Sequence, residues 1–295
     1  MTMRPRRSVL YMPGSNARAL EKAKSLAADC LILDLEDAVA PDAKSHARDQ
    51  IAAAVSGGGY GRREVIVRVN DLSSEWGAED VRAIAPLGPD AILVPKVNSA
   101  DAIEQASRAL DNAGAAPEVD LWAMIETPLG VLGVEAIAEA ANRTRLAAFV
   151  MGTNDLAKET GAALTPGRAP FLGVLMTCVL AARAHGLAIL DGVFNDIANA
   201  EGFAGECAAG RDFGFDGKTL IHPSQIGPCN DIFAPGDEEI AVARKIVAAF
   251  DLPENRGQGV ITVDGRMVEL LHAEIARRTV AVAEAIAEMH PEQDS

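Results

Sequence analysis

The chain has 295 residues, a mass of 30.9 kDa and a formal net charge of −15 at pH 7. Its hydrophobic fraction of 49% is sufficient for a folded core and excludes global disorder. The acidic balance disfavours nonspecific binding to nucleic acid, because such binding needs clustered cations that displace counterions.

The cysteine and hydropathy patterns narrow the class of protein further. The four cysteines form no Cys-x-x-Cys pair, so we expect neither a zinc ribbon nor a thioredoxin-type redox site. No uninterrupted apolar stretch approaches the roughly 18 residues of a membrane span, and the N-terminus lacks a signal-peptide pattern. We therefore predict no membrane segment and a cytoplasmic location.

Short apolar runs alternate with amphipathic stretches along the first part of the chain. The runs predict strands at residues 8–12, 30–35, 64–69, 91–94, 121–125, 146–151, 188–193 and 215–221. Helical spacing predicts helices at residues 17–28, 42–55, 100–113, 130–141, 171–185 and 197–213. Strands that alternate with helices pair in parallel, because a parallel connection requires a crossover.

Eight such units predict an α/β fold, a (β/α)8 TIM barrel over residues 1–235, with a doubly wound open sheet as the alternative. Residues 236–295 predict a C-terminal helical extension, with helices at 237–250 and 268–287 and a short strand at 259–263. This extension is too short for an independent domain, so we expect it to pack on the barrel or on a neighbouring subunit.

Acidic residues follow several predicted strands, where barrel enzymes place their catalytic groups. Glu126 and Asp155 follow the fifth and sixth strands, which are neighbours in a barrel. Two carboxylates brought together repel each other, and a divalent cation removes that cost. With no cysteine or histidine pair nearby, the pair predicts a Mg²⁺ site. The alternative is that each carboxylate caps the helix that follows it.

A basic residue ends the third predicted strand. Arg68 is suited to bidentate binding of a substrate carboxylate, and its alternative is a structural ion pair with Glu36 or Asp37. Glu36 and Asp37 follow the second strand and are candidates for catalysis or for holding metal-bound water. Lys96 and Lys218 raise the less favoured hypothesis of Schiff-base catalysis, since acidic neighbours keep a lysine charged.

Eight segments combine these residues in a distinctive order: RSVLYMPG (7–14), LDLEDAV (33–39), VRVN (67–70), VPK (94–96), MIETP (124–128), GTNDL (152–156), DGV (191–193) and GFDGK (214–218). Together they resemble the citrate lyase β-subunit family, the acyl-CoA lyase branch of the HpcH/HpaI aldolases. The resemblance implies a (β/α)8 barrel, a homotrimer or homohexamer, and Mg²⁺-dependent cleavage of C–C bonds in hydroxyacyl thioesters.

The resemblance also implies roles for individual residues. It places the metal on Glu126 and Asp155 and the substrate near Arg68, with Glu126 also contacting substrate. In the CoA-using relatives a C-terminal Gly-x-Met-Val/Ile-Asp segment brings a catalytic aspartate to the neighbouring subunit. Here that segment ends in Glu269, one methylene longer, and the longer reach favours hydrolysis of the thioester through a water.

The leading hypothesis is a lyase that cleaves malyl-CoA or citramalyl-CoA to acetyl-CoA and a 2-oxoacid, with Glu269 handling the acetyl proton. The alternatives are a (3S)-malyl-CoA thioesterase and the β-subunit of a citrate lyase complex. The basic residues near the first strand form either a screen for the CoA phosphates or an ordinary solvated surface: Arg4, Arg6, Arg7, Arg18, Lys22 and Lys24.

Overall fold

The computed structural model describes residues 4–289, so the ends of the two predicted regions, residues 1–3 and 290–295, lie outside it. The chain divides into two compact units. One is Arg6–Asn230, and the other contains the remaining described residues, mainly those from Asp231 onward. This division falls near the predicted boundary at residue 235.

The first unit is a closed barrel of eight parallel strands. Each strand pairs with the next along the chain, and β1 pairs with both β2 and β8, which excludes the open sheet. The predicted (β/α)8 barrel is thus confirmed. The strands are β1 (Ser8–Pro13), β2 (Cys30–Asp34), β3 (Glu64–Arg68), β4 (Ala91–Val94), β5 (Asp120–Ile125), β6 (Leu146–Met151), β7 (Ala188–Asp191) and β8 (Gly217–Leu220).

Helices surround the strands and differ from the sequence prediction in four places. Three short helices, at Gly77–Ile84, Thr153–Thr160 and Ile226–Phe233, were not predicted. The predicted helix at 130–141 is divided into two at Gly133. The helices are α1 (Ala17–Ala23), α2 (Lys44–Gly57), α3 (Gly77–Ile84), α4 (Ala100–Asn112), α5 (Pro128–Leu132), α6 (Val134–Glu139), α7 (Thr153–Thr160), α8 (Leu172–Ala184), α9 (Ala200–Phe213) and α10 (Ile226–Phe233).

Apolar side chains fill the inside of the barrel. Alternate residues of a strand point inward, and side chains from β1 to β7 form one packed core rather than a pore. The cluster contains Ile32 and Ile66 with Trp122 and Val150, all inaccessible to solvent. Tyr11 packs against this core from β1 and is partly buried.

Ion pairs close the barrel at the amino-terminal ends of its strands. The Arg6 guanidinium binds both oxygens of Glu64 at 2.7 Å and lies 4.9 Å from the ring centre of Trp122. Arg7 binds Asp29 at 2.9 Å in the same way. Both arginines are therefore committed to the end of the barrel opposite the strand carboxyl termini.

A second set of buried charges lies between the barrel wall and the helices. Lys218 binds Asp191 at 3.0 Å and Glu206 of α9 at 2.7 Å, and Arg168 binds Asp191 at 2.6 Å. Lys218 is inaccessible to solvent and faces the helix layer. Lys218, which the sequence raised as a candidate for Schiff-base catalysis, thus directs its amine to Asp191 and α9.

The second unit consists of two helices and a hairpin: α11 (Asp237–Asp251), β9 (Val260–Val263), β10 (Arg266–Glu269) and α12 (Leu270–Met289). Phe250, Ile261, Val268 and Ala273 form its small core. The hairpin turn has positive φ angles at Asp264 and Gly265 (49° and 77°), a conformation typical of two-residue turns. Residues 268 and 269 thus lie in a strand, where the sequence predicted the start of a helix.

Among the described residues one helical stretch, Pro166–Ala184, has the length and composition to cross a membrane, with a mean hydropathy of 1.2. In the structure it forms the turn before α8 and α8 itself, whose Leu175, Cys178 and Val179 are buried. The apolar residues of this stretch therefore include those that α8 buries when it packs in the barrel unit.

We expect Lys218→Met to lower the free energy of unfolding by about 3–5 kcal/mol, because Asp191 and Glu206 lose a fully buried cation. Urea denaturation followed by tryptophan fluorescence measures this, since Trp76 and Trp122 both belong to the barrel. Lys245→Met is the control, because its pair with Asp264 is largely exposed. Equal stability of Lys218→Met and the unchanged protein would contradict this account of the cluster.

Candidate active site

A cavity of about 310 Å³ opens at the carboxyl ends of the barrel strands. Every strand except β4 contributes to it, either directly or through the residues that follow the strand. We call it the mouth cavity. It is lined by Tyr11, Asp34, Asp37, Ala38, Arg68, Met124, Glu126, Met151, Gly152, Thr153, Asn154, Asp155, Val193, Thr219 and Ile221.

Both predicted metal ligands line the mouth cavity. Glu126 follows β5 and accepts a hydrogen bond at Oε1 from the Lys96 backbone N–H at 2.7 Å. Asp155 lies in the first turn of α7. The alternative of helix caps is not supported, because Thr127 caps α5 and no side chain caps α7.

The electrostatics of Glu126 fit a cation-binding role. Burial, together with the charges of Glu36 and Asp155, raises its pKa to about 7, against the opposing effects of the Lys96 N–H and of Arg68. Ionised Glu126 is therefore costly in the metal-free protein. A divalent cation that binds both carboxylates would remove this cost.

Gly152, between the two acids, makes room for the Glu126 carboxylate. A Cβ at this position would lie 2.5 Å from Glu126 Oε2, too close for any side chain. Oε2 accepts no hydrogen bond from residues 4–289, and neither does the Asp155 carboxylate. In the described part of the chain no group of three or more acidic, cysteine or histidine side chains forms a metal site. Two carboxylates with open positions match the usual ligands of Mg²⁺.

Arg68 lines the mouth cavity, but the Nε and Nη2 edge of its guanidinium is already bound to Asp34. Its Nε and Nη2 donate to the two oxygens of Asp34 at 2.7 and 2.6 Å. Its Nη1 binds Glu36 at 2.8 Å and Asp37 at 3.4 Å. The predicted ion pairs with Glu36 and Asp37 are present, and Asp34 was missed as the principal partner. The guanidinium is thereby fixed in orientation.

The two neighbouring acids of the β2 loop differ in position. Glu36 is buried, is not among the lining residues, and binds both Arg68 and the Lys96 amine. Asp37 lines the mouth cavity, and its side chain is 62% exposed. Of this predicted catalytic pair, only Asp37 can contact a substrate in the cavity. Glu36 instead binds the Arg68 and Lys96 side chains.

The lysine amines remain charged, which disfavours the Schiff-base hypothesis. Burial alone would lower the pKa of Lys96. The hydrogen bond to Glu36, the charge of Glu36 and the charge of Glu126 outweigh burial and raise this pKa above its usual value. For Lys218, burial likewise lowers the pKa, and Asp191 and Glu206 raise it by more. A protonated amine is not a nucleophile.

Lys44 supports the site and was not identified from the sequence. Its amine donates to the carbonyl oxygens of Leu35 and Glu36 at 2.8 and 2.7 Å and lies 5.4 Å from the ring centre of Trp76. It thus holds the loop that carries Glu36 and Asp37. The sequence shows only a lysine at the start of a helix, which is usually a solvated residue.

The predicted basic residues near β1 do not line the cavity. Arg6 and Arg7 bind acids at the other end of the barrel, while Arg18 and Lys22 are exposed on α1. The prediction that basic residues near β1 screen the CoA phosphates is therefore wrong for Arg6 and Arg7. Glu269 is the last residue of β10 in the second unit, and it is exposed.

The HpcH/HpaI aldolase/citrate lyase family model matches residues 7–223. The chain belongs to this family. The sequence resemblance is confirmed at this level, and the barrel with an acidic pair at its mouth is the part of the molecule that the match covers.

Relatives within the HpcH/HpaI family have different activities. The chain is 52% identical over 283 residues to a (3S)-malyl-CoA thioesterase from Cereibacter sphaeroides, covering 96% of each chain. It is 34% identical to an L-malyl-CoA/β-methylmalyl-CoA lyase from the same species, again covering 96% of each chain. The family match therefore establishes an enzyme family without choosing between hydrolysis and C–C cleavage.

A solved structure in the comparison contains ligands. The protein CitE from Mycobacterium tuberculosis, in complex with magnesium, acetoacetate and coenzyme A, is 30% identical, with a TM-score of 0.71. The match covers 94% of this chain and 97% of that one. Magnesium, which the sequence predicts here, is thus present in the structure of a relative.

We expect Glu126→Gln to stabilise the metal-free protein at about pH 8. Glu126 ionises near pH 4.5 when unfolded and near pH 7 when folded. Between these values only the unfolded state loses the proton, so the free energy of unfolding falls with rising pH, by about 3 kcal/mol in total. The variant should lack this fall, because glutamine keeps the acceptor for Lys96 without the charge.

Urea denaturation in EDTA at about pH 5 and about pH 8 measures this difference. Added MgCl₂ should stabilise the unchanged protein and not Glu126→Gln. A variant with the same pH dependence as the unchanged protein would refute the assigned burial cost.

We expect Gly152→Ala to weaken Mg²⁺ binding by roughly tenfold or more, because its methyl group displaces the Glu126 carboxylate. Isothermal titration calorimetry with MgCl₂ measures the change in affinity. Gly173→Ala in α8 is the matched control, since no atom lies within 4 Å of a Cβ there. Unaltered affinity in Gly152→Ala would exclude Glu126 as a ligand.

Proposed function

We propose that this chain is a Mg²⁺-dependent enzyme that hydrolyses the thioester of a 3-hydroxyacyl-CoA such as (3S)-malyl-CoA. The observation that carries the proposal is the uncompensated pair Glu126 and Asp155 beside a fixed arginine in the mouth cavity. The 52% identity to a (3S)-malyl-CoA thioesterase favours hydrolysis over the C–C cleavage that the sequence analysis placed first.

Glu126 and Asp155 are the residues that would hold the metal. When bound, Mg²⁺ supplies a Lewis acid and a template for the oxygen atoms of the acyl group. Burial, and after it the charges of Glu36 and Asp155, raise the pKa of Glu126, so a bound cation would favour its ionised form. The Lys96 N–H orients Oε1, which would leave Oε2 for the cation.

Arg68 orients the acid end of the substrate. Asp34 holds its Nε and Nη2, and Glu36 binds Nη1 at 2.8 Å. The position available to a substrate carboxylate is therefore the one that Asp37 occupies at Nη1, where the distance is long at 3.4 Å. A substrate carboxylate that displaces Asp37 from Nη1 fixes the acyl group in the cavity. Such positioning accounts for a large part of catalysis by proximity.

Asp37 is the barrel residue assigned to proton transfer. Its exposed carboxylate lines the cavity and is released from Arg68 when substrate binds. It accepts a proton from the attacking water at Oδ2, the carbonyl carbon gains a C–O bond, and the C–S bond then breaks. The CoA thiolate takes up a proton, and the products are the free hydroxyacid and CoA.

C–C cleavage of the same substrate is the second candidate, and the lyase relative at 34% identity favours it. The same groups would bind the acyl-CoA, but the base would take the proton of the 3-hydroxyl instead. Glu269 then protonates the acetyl-CoA enolate, the role that the sequence resemblance implies for it. The homotrimer or homohexamer and the cytoplasmic location likewise stay predictions.

Incubation with Mg²⁺ and (3S)-malyl-CoA is expected to give malate and CoA in equal amounts. Mass spectrometry identifies the acids, and a hydrazone-forming reagent traps any glyoxylate. Glyoxylate and acetyl-CoA in place of malate would overturn hydrolysis and establish the second candidate. If neither malate nor glyoxylate is formed, both candidate functions are refuted.

We expect Asp37→Asn to lower kcat by roughly 10²–10⁴-fold, because it removes the base and keeps the shape of the side chain. Asp42→Asn is the control, an exposed residue of the same loop that is absent from the cavity lining. Glu269→Gln is the paired variant. Full activity in Asp37→Asn with loss in Glu269→Gln would transfer the base role to Glu269.

A further inference from the structure

Tyr11 lies next to Arg68 in the mouth cavity. It lies on β1 beside Ile32 of β2, and its ring packs on the top of the barrel core. The Arg68 guanidinium carbon lies 4.9 Å from the centre of this ring, and Tyr11 lines the mouth cavity. The ring thus supports the same arginine that orients the substrate.

The Tyr11 hydroxyl has no hydrogen-bond partner within residues 4–289. By contrast, the Tyr60 hydroxyl donates to the Leu20 carbonyl, and the Thr219 hydroxyl of the cavity wall donates to the Asp191 carbonyl at 2.9 Å. A phenol in a largely buried position usually finds an acceptor. Tyr11 therefore keeps a donor free beside the cavity.

The cavity needs such a donor. Its charged lining groups are the acceptors Asp34, Asp37, Glu126 and Asp155 and a single cation, Arg68, which is already bonded to acids. An anionic acyl group that enters it requires hydrogen-bond donors. Burial raises the pKa of Tyr11 above its usual value, against the opposing charge of Arg68, so the hydroxyl stays a neutral donor.

We infer that the Tyr11 hydroxyl binds substrate directly, donating a hydrogen bond to the carboxylate of the hydroxyacyl group that Arg68 orients. The inference rests on the proposed function for the identity of this acyl group. It makes Tyr11 a substrate-binding residue that selects acyl groups bearing a carboxylate, in addition to the metal ligands and Arg68.

Tyr11→Phe tests this with the loss of one oxygen atom, and the ring that packs on Arg68 is kept. Because a hydrogen bond to a charged group is lost, we expect kcat/KM for malyl-CoA to fall roughly tenfold to hundredfold. The larger part should be a rise in KM. For acetyl-CoA, whose acyl group has no carboxylate, kcat/KM should fall by a smaller factor than for malyl-CoA.

Tyr60→Phe is the matched control, because Tyr60 is the other of the two tyrosines and is absent from the cavity lining. It should have the kinetics of the unchanged protein. Equal KM values for malyl-CoA in Tyr11→Phe and Tyr60→Phe would overturn the inference.

A binding measurement separates this inference from the proposed function. In the Tyr60→Phe protein Tyr11 is the sole tyrosine, so ¹³C labelling at tyrosine Cζ gives one resonance. With Mg²⁺ present, titration with malate should shift this resonance, and acetate should shift it less at equal concentration.

A stationary resonance at a malate concentration that stabilises the protein against heat overturns the role of Tyr11, and so does the absence of malate binding. If malyl-CoA is not turned over but malate shifts the resonance, the proposed function fails and the role of Tyr11 in carboxylate binding stands.

Discussion

An excess of negative charge at the barrel mouth determines the rest of the site. Two cations, Arg68 and Lys96, serve five carboxylates: Asp34, Glu36, Asp37, Glu126 and Asp155. Arg68 and Lys96 bind the three acids at the end of β2 and in the loop after it, and no ion pair within residues 4–289 involves the other two. Acids held together without counterions take up protons or bind a cation. A bound divalent cation would therefore stabilise this arrangement.

Barrel geometry brings these charges together from distant parts of the chain. Each parallel strand ends at the same rim, so one acid after β5 and another after β6 face one cavity. Gly152 then permits an approach that any larger residue would block. Arg68 is fixed by Asp34 on one edge and by the Tyr11 ring on one face. Its Nη1, which binds Glu36 and more weakly Asp37, therefore points in one direction only.

The strand-end residues could be predicted because hydrophobic runs are reliable markers of buried strands. The sequence could not predict whether a given strand residue points into the barrel or toward the helices. Lys218 and Thr219 are adjacent, and alternation requires that one face the barrel interior and the other the helices. The sequence does not say which one, and the charged residue proved to be the outward one, paired with Glu206.

Short helices and backbone contacts were also beyond prediction. Helix α7 covers eight residues and has no side-chain cap, so neither periodicity nor a capping residue marks it. Lys44 acts through carbonyl oxygens of Leu35 and Glu36, and a contact to backbone leaves no complementary residue to recognise. The bidentate pair of Arg68 with Asp34 joins two strands through their register, which only the folded sheet fixes.

The choice between hydrolysis and C–C cleavage follows from where the first proton is removed. Both reactions need the acyl group held by the same acids and the same arginine, so these residues are compatible with either. Hydrolysis needs a base that reaches a water at the thioester carbon, and Asp37 is exposed and only weakly held by Arg68. Cleavage needs an acid that reaches the acetyl carbon, which the resemblance assigns to the C-terminal segment. A glutamate there, one methylene longer than aspartate, places its carboxyl group differently relative to that carbon. The two reactions share the groups that bind the acyl group and differ in the group that must transfer a proton.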